Sequence, residues 1–374
     1  MRYYIIAGEA SGDLHGSNLI KALKRQDPGA DFRCWGGDLM EAAGATLAKH
    51  YKDLAFMGFV EVIRNLPVIL RNLRFCKEDI LRYQPDALIL IDYPGFNLRI
   101  AKWAHALHLK VIYYISPQVW AWKESRVKGI KTSVDKMLVI LPFEKDFYRK
   151  WDFPVEYVGH PLVEVVEEAR QKKEPPLGTR PIIALLPGSR HQEVALKLPV
   201  MLEVSTHFPD YQFIVAKAPS LDDSFYEECF RDFPDVNAIR GNTYGLLNQA
   251  TAALVTSGTA TLETALFGVP EVVCYKGNQI SYEIARRLIR VKYISLVNLI
   301  MDKPVVKELI QEEMNVKNIR AELHRLLYDK VYRTRIQEDY ALLKQILQQG
   351  GDASANAAAS ISRYLMPQMS QKPE

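Results

Sequence analysis

The residues best suited to chemistry in this 374-residue chain stand where apolar runs stop. Ala87-Leu88-Ile89-Leu90-Ile91 is unbroken and apolar, the pattern of a strand buried on both faces, and Asp92-Tyr93-Pro94-Gly95-Phe96-Asn97 follows it. A carboxylate at such a strand tip, beside Tyr93 and Phe96, is partly dehydrated. Dehydration raises a carboxyl pKa and suits Asp92 to act as a general base. Capping of the next helix is the competing role, but Asn97 can cap that helix and leave Asp92 for chemistry.

A second pair of tips suits a phosphate. Ala252–Val255 is an apolar run, followed by Thr256-Ser257-Gly258-Thr259 and a helical pattern with Leu262 and Leu266 on one face. Gly268 and Pro270 stop that helix. Free backbone N–H groups and the positive helix end converge on such a turn. Glu263, one helical turn in, can take two ribose hydroxyls. Alone, the turn is equally an ordinary strand–helix junction with a Ser/Thr cap. The run Ile182–Leu186 then ends in Pro187-Gly188-Ser189-Arg190 and adds a guanidinium whose planar fork fits a diphosphate. The two turns together make a diphosphate site without a metal, and no DxD motif occurs in the chain.

These tips need a scaffold. Apolar runs at Tyr3–Ala7, Phe32–Trp35, 87–91, Val111–Ile115, Lys136–Leu141 and Val155–Val158 alternate with helical patterns. After the charged stretch 167–180, with Pro175-Pro176, the alternation resumes at 182–186, Gln212–Ala216, Ala238-Ile239, 252–255 and Glu271–Tyr275. This predicts an α/β fold of two doubly wound, Rossmann-like domains facing a cleft. The expected division is residues 1–166, a linker 167–180, a second domain 181–348, and a terminal helix with a disordered tail over 349–374. Ile310–Asn315 and Ile319–Leu347 read as helical, and Ala353–Tyr364 as the last helix. Gly8-Glu9-Ala10-Ser11-Gly12-Asp13 reads as a glycine turn before a helix over Leu14–Lys24. Neither GxGxxG nor GxxxxGK[ST] occurs, which removes the main support for a dehydrogenase or a P-loop enzyme.

Composition narrows the class. Hydrophobic residues are 48%, charged residues 25%, and the net charge is +4, too small to argue for nucleic acid. Four scattered cysteines suggest a reducing compartment and no zinc. The first residues read as a strand rather than a signal peptide, and no apolar run is long enough to span a membrane. Phe56–Phe75 combines many large apolar residues with Arg64, Arg71 and Arg74 on roughly one helical face, extended by Lys77. It suits a membrane surface or bound acyl chains, or a core helix with solvated arginines; Pro67 starts or kinks it. Ser116-Pro117-Gln118-Val119-Trp120-Ala121-Trp122 reads as a rigid aromatic loop lining a site or a membrane edge. Lys123, Arg126, Lys128 and Lys131 form a basic cluster after it, either a solvated face or one that meets acidic head groups. His160, before Pro161, is either structural or a ligand contact.

Several motifs, in order, resemble one family over nearly the whole chain, to about Tyr364: GEASGDLHG, MGFVEV, LIDYPGFN, SPQVWAW, LPFEK, GHPL, LLPGSR, SGTATLETAL, and SLVNLI followed by VKELIQEE. The resemblance is to the lipid A disaccharide synthases, inverting glycosyltransferases of the GT-B type. It implies transfer from UDP-2,3-diacylglucosamine to 2,3-diacylglucosamine 1-phosphate (lipid X) through a β-1,6 bond, releasing UDP. It implies no cofactor, and a cytoplasmic enzyme peripherally bound to the inner leaflet of the inner membrane. Carried over, Asp92 is the base, and Glu9 and Ser11 line the catalytic cleft. Arg190, with Gly188, Ser189, Ser257, Gly258 and Thr259, holds the diphosphate; Glu263 binds the ribose and Asn298 reaches the nucleotide sugar. Phe59, Val60, Val62, Ile63 and Leu66 hold acyl chains or membrane. Family members can exchange carboxyl-terminal elements in a homodimer. Tyr93 and His191-Gln192 stand where small residues are common, which bears on acceptor shape and acyl preference. The alternatives are another GT-B protein acting on UDP-GlcNAc (a lipid-linked sugar transferase or a 2-epimerase) and a non-catalytic UDP-sugar or lipid-binding protein.

Overall fold

The computed structural model describes residues 1–54, 66–278, 282 and 291–366. The chain divides into two compact units, Met1–Pro161 with Leu347–Glu374, and Leu162–Ile346. Each is a parallel sheet flanked by helices.

The first unit has seven strands: β1 (Arg2–Ala7), β2 (Asp31–Gly36), β3 (Thr46–His50), β4 (Ala87–Ile91), β5 (Lys110–Tyr114), β6 (Lys136–Val139) and β7 (Glu156–Tyr157). They lie in the order β3-β2-β1-β4-β5-β6-β7. Winding therefore reverses between β1 and β4. Tyr3–Ala7 and all of β4 are buried, as strands covered by helices on both faces must be. Burial of each of their leucine and isoleucine side chains contributes about 1.5–3 kcal/mol. Ala7 pairs with Ile91, so Gly8 and Asp92 leave the sheet side by side.

The second unit has six strands: β8 (Ile182–Leu186), β9 (Gln212–Lys217), β10 (Asn237–Arg240), β11 (Ala250–Thr256), β12 (Glu271–Tyr275) and β13 (Lys307–Ile310). Their order is β10-β9-β8-β11-β12-β13. Winding reverses between β8 and β11, and Leu186 pairs with Val255. Ligands bind outside the carboxyl ends of strands at such reversals. The helix Leu162–Gln171 opens this unit and runs into the stretch read as a linker.

Four expectations need correction. The helix after β1 starts at Ala10, so Ser11 and Gly12 are helical and Glu9 is its N-cap position. Val119–Trp122 is a helical turn, not a loop, and Trp120 is buried. Its indole N–H donates to the buried Glu144 (3.2 Å) and its ring meets Phe143 edge-on, so Trp120 is core. Residues 310–315 are not a helix. Lys307–Ile310 joins the sheet beside β12, and a short 3₁₀ turn follows at Gln311–Glu313. The helical stretch after it breaks at Asp329 into Val316–Tyr328 and Lys330–Gln348.

Asn97 does not cap its helix. It lies inside Pro94–Ala106, fully buried, and its Nδ2 donates to the carbonyls of Ile91 (3.2 Å) and Asp92 (2.8 Å) and, at 3.4 Å, Ile6. One amide thus ties the ends of β1 and β4. Asn97→Ala removes one donor from these carbonyls and opens a void in the buried site; urea unfolding should show a loss of about 2 kcal/mol.

Candidate functional site

In the first unit the tips of β1 and β4 carry Glu9 and Asp92. Asp92 and Tyr93 both have left-handed backbone, with φ of 43° and 49°. Such conformations cost side-chain-bearing residues about 1–3 kcal/mol each and need external support. Support comes from the Asp92 carbonyl, which accepts from the Tyr113 hydroxyl (2.5 Å) and from Asn97. Tyr113 is itself fully buried on β5. Gly8 lies directly under the Tyr93 ring, where any Cβ would overlap ring atoms. Tyr93 also stacks on Phe96, with centroids 5.6 Å apart. The bulky residue after Asp92 is thus accommodated by a glycine on the neighbouring tip.

Asp92 remains accessible to solvent, yet the surrounding protein removes enough of its hydration to raise its pKa to about 7, with the Glu9 charge a second, smaller cause. Glu9 sits at the amino end of the helix Ala10–Gln26, where the dipole favours a carboxylate. Ser11 is exposed on the first turn of that helix. The structure therefore brings Asp92, Glu9 and Ser11 to one sheet edge. His160 is buried; burial and, secondarily, His15 lower its pKa to about 3, so it is a neutral imidazole.

In the second unit the two turns emerge from neighbouring strands. Gly188 (φ 123°) precedes Ser189, Arg190 and the helix His191–Ser205; Gly258 (φ 135°) precedes the helix Thr259–Leu266. Both glycines adopt backbone that L side chains rarely adopt, which turns the chain sharply from strand into helix. Gly258 and Thr259 are exposed, as are Ser189 and Arg190. The Arg190 guanidinium lies 3.3 Å from Glu193. Ser257 donates to the carbonyl of Ile294 (2.8 Å). Glu263 is half-buried; burial raises its pKa, and one carboxylate oxygen accepts from the Tyr244 hydroxyl (2.6 Å). His191 is exposed and its ring meets Phe225 at a tilt, centroids 4.5 Å apart, so it packs against the helix Asp223–Phe230.

Asn298 is the exception. It is buried, with Nδ2 donating to Val306 (2.9 Å) and Glu308 (2.9 Å) and Oδ1 accepting from Val306 (3.0 Å). Its amide is fully used inside the protein, so it does not face a nucleotide sugar. Glu308 also accepts from the backbone of Ile294 and Ser295, and Ile294 accepts from Ser257. Asn298 thus braces the Ser257 turn through Glu308 and Ile294. The sequence does not reveal the roles of Tyr113 and Tyr244 or the buried role of Asn97; an aromatic hydroxyl on a strand or helix carries no local sign of its partner.

Phe59, Val60, Val62 and Ile63 lie outside the described residues, as does the side chain of Leu66. The helix Leu66–Tyr83 that follows buries Leu73, Cys76 and Ile80 and leaves Leu70 (57%) and Phe75 (40%) exposed among Arg71 and Arg74. Pro67 stands in its first turn, as a helix-starting proline does. Among the described residues, no helix is long and apolar enough to cross a membrane, and no three His, Cys, Asp or Glu side chains gather to hold a metal ion.

Solved structures share this architecture. A UDP-GlcNAc 2-epimerase from Neisseria meningitidis bound to UDP-GlcNAc superposes with a TM-score of 0.67 over 98% of this chain and 100% of that one, at 12% identity. The glycotransferase of kitacinnamycin superposes with a TM-score of 0.69 over 97% and 99%, at 14% identity. At such identities the likeness is one of fold, and the fold is the GT-B class of paired Rossmann-like domains. Residues 3–363 match the family described as Lipid-A-disaccharide synthetase. The lipid-A-disaccharide synthase of Syntrophus aciditrophicus is 42% identical over 369 residues, 96% of each chain. That of Trichlorobacter lovleyi is 40% identical over 363 residues, 94% of each. The chain belongs to the lipid-A-disaccharide synthetase family and is a glycosyltransferase.

Gly8→Ala drives a methyl group into Tyr93 and so moves the Asp92 backbone. Turnover should fall by roughly tenfold or more, because small misplacements of a reacting group are costly, while circular dichroism reports an intact fold.

Proposed function

We propose that this glycosyltransferase moves a diacylglucosamine from its UDP donor to the 6-hydroxyl of diacylglucosamine 1-phosphate, with Asp92 as the base. The observation that carries the reading is the solvent-accessible Asp92 carboxyl at the reversal point of the first sheet, its pKa raised to about 7. A base poised near the working pH is half ionised and still strong enough to take a proton. The acceptor hydroxyl gives its proton to Asp92 as its oxygen attacks the anomeric carbon. The bond from that carbon to the β-phosphate oxygen breaks, the configuration inverts, and the electron pair leaves with UDP. Arg190 and the N–H groups at Ser189 and Ser257–Thr259 stabilise the charge that builds on the diphosphate. Glu263 holds the ribose with its second oxygen, the first being engaged by Tyr244.

The exposed Leu70 and Phe75, set among Arg71 and Arg74, favour an anionic lipid surface as the source of the acylated substrates. This separates the reading from an epimerase of the same fold, which needs no such face.

Enzyme mixed with acylated donor and lipid X should release UDP and give a disaccharide 1-phosphate by mass. Turnover of unacylated UDP-GlcNAc instead would overturn the assignment. Asp92→Asn should lower kcat by about 10²–10⁴-fold while UDP still binds; near-normal turnover would rule Asp92 out. Because ionised Asp92 is the active form, kcat/KM should fall as the pH drops below about 7. Glu9→Gln removes one cause of the raised pKa, so that acid limb should move to lower pH. Arg190→Ala should raise the donor KM by roughly tenfold or more, the worth of a charge-assisted hydrogen bond.

A further inference from the structure

The helix His191–Ser205 buries Val194, Leu198, Met201 and Leu202, and in the same stripe it buries Lys197, only 1% exposed. A lysine at an apolar position loses its hydration, and a leucine or methionine would fill the space without that cost. Its ammonium lies under the two phosphate turns. It donates to the hydroxyl of Thr256, the last residue of β11. It would stand 3.5 Å from a Cβ on Gly188. On its own helix it lies 3.9 Å from Glu193 Oε2, while Glu193 Oε1 lies 3.3 Å from Arg190. One carboxylate is therefore shared between an exposed guanidinium (53%) and a buried ammonium (2%).

We propose that Lys197 is a positioning residue for the diphosphate site, acting as the fixed counter-charge that holds Glu193 so that Arg190 can turn to the donor. The proposal rests on the diphosphate reading of the two turns. Arg190 is the mobile partner of the trio because it is the exposed one. When a diphosphate arrives, Arg190 exchanges Glu193 for phosphate oxygens. Lys197 stays, so Glu193 is neither stranded nor left to repel the ligand. Without Lys197, Glu193 competes for Arg190 at full strength and adds a negative charge beside the phosphates. Lys197 is itself fixed by its bond to Thr256 at the tip of β11. The other groups facing it are Cys274 and Arg190; burial lowers its pKa, and Glu193 opposes that.

The test uses the full chain and calorimetric titration with UDP alone, beside donor kinetics. Lys197→Met should weaken UDP binding and raise the donor KM by about tenfold, with kcat changed by less than about threefold, the split expected when ground-state binding is lost. Glu193→Gln added to Lys197→Met should bring UDP affinity back to within about threefold of the parent, since the competing charge is gone. Lost packing would not be rescued in that way, so a double variant as weak as the single one overturns the proposal. So does a Lys197→Met protein that binds UDP normally. Should Lys197→Met fail to fold, Glu193→Gln alone decides. It should bind UDP at least as well as the parent, and a loss of about tenfold or more would refute the counter-charge role. A parent protein that does not bind UDP would instead refute the diphosphate reading itself.

Discussion

The first unit depends on a backbone carbonyl. Asp92 and Tyr93 are two consecutive side-chain-bearing residues in left-handed conformation, and no fold keeps such a pair without holding it. The Asp92 oxygen is held twice, by Tyr113 from β5 and by Asn97 from the helix that follows. Both donors are buried, so water does not compete for the bond. Gly8 gives up its side chain to make room for Tyr93. Three elements beyond the strand itself thus fix the direction in which the carboxylate leaves the sheet.

The second unit meets the same geometrical problem differently. Its two tips turn through glycines, Gly188 and Gly258, which carry the positive φ at little cost, and the buried Thr261 hydroxyl adds a bond to the Gly258 carbonyl (2.8 Å). The difference matches the roles proposed for the tips. A phosphate cradle offers backbone N–H groups, so the turning residue can lose its side chain without loss of chemistry. A base offers its side chain, so the turning residue cannot be glycine and the strain must be opposed from outside. Glycine at 188 and 258 and aspartate at 92 are two solutions to one reversal in strand order.

This also explains what could be read in advance. Strand tips are local: an apolar run ended by glycine or aspartate marks β1, β4, β8 and β11, and the fold follows from their alternation with helices. The residues that support the tips are not local. Asn97 reaches back to Ile6, and Asn298 works through Glu308 on a different element. From sequence each is a polar residue near a helix start, and capping or ligand contact is the natural assignment. Lys307–Ile310 has the composition of a helix, but the open edge of β12 pairs with it, and tertiary pairing outweighs propensity. Trp120 reads as a loop aromatic until Glu144, 24 residues on, supplies the acceptor that lets the indole be buried.

Buried or half-buried polar side chains recur behind the tips, and their common target argues for a common purpose. Asp13 accepts from the backbone of Gly37 (2.7 Å) and Met40 (3.1 Å) after β2. Glu144 accepts from Leu141 (3.0 Å) after β6, and Glu308 accepts from Ile294 and Ser295 behind Ser257. Each replaces water on backbone groups that leave a sheet and would otherwise be buried without partners. Apolar residues cannot do this, which is why these positions are not simply leucines. Such bonds add little net stability, but they are directional, and a misplaced tip would lose them. The polar interior of this protein therefore serves to aim the tips, while the apolar strands supply the stability that lets it do so.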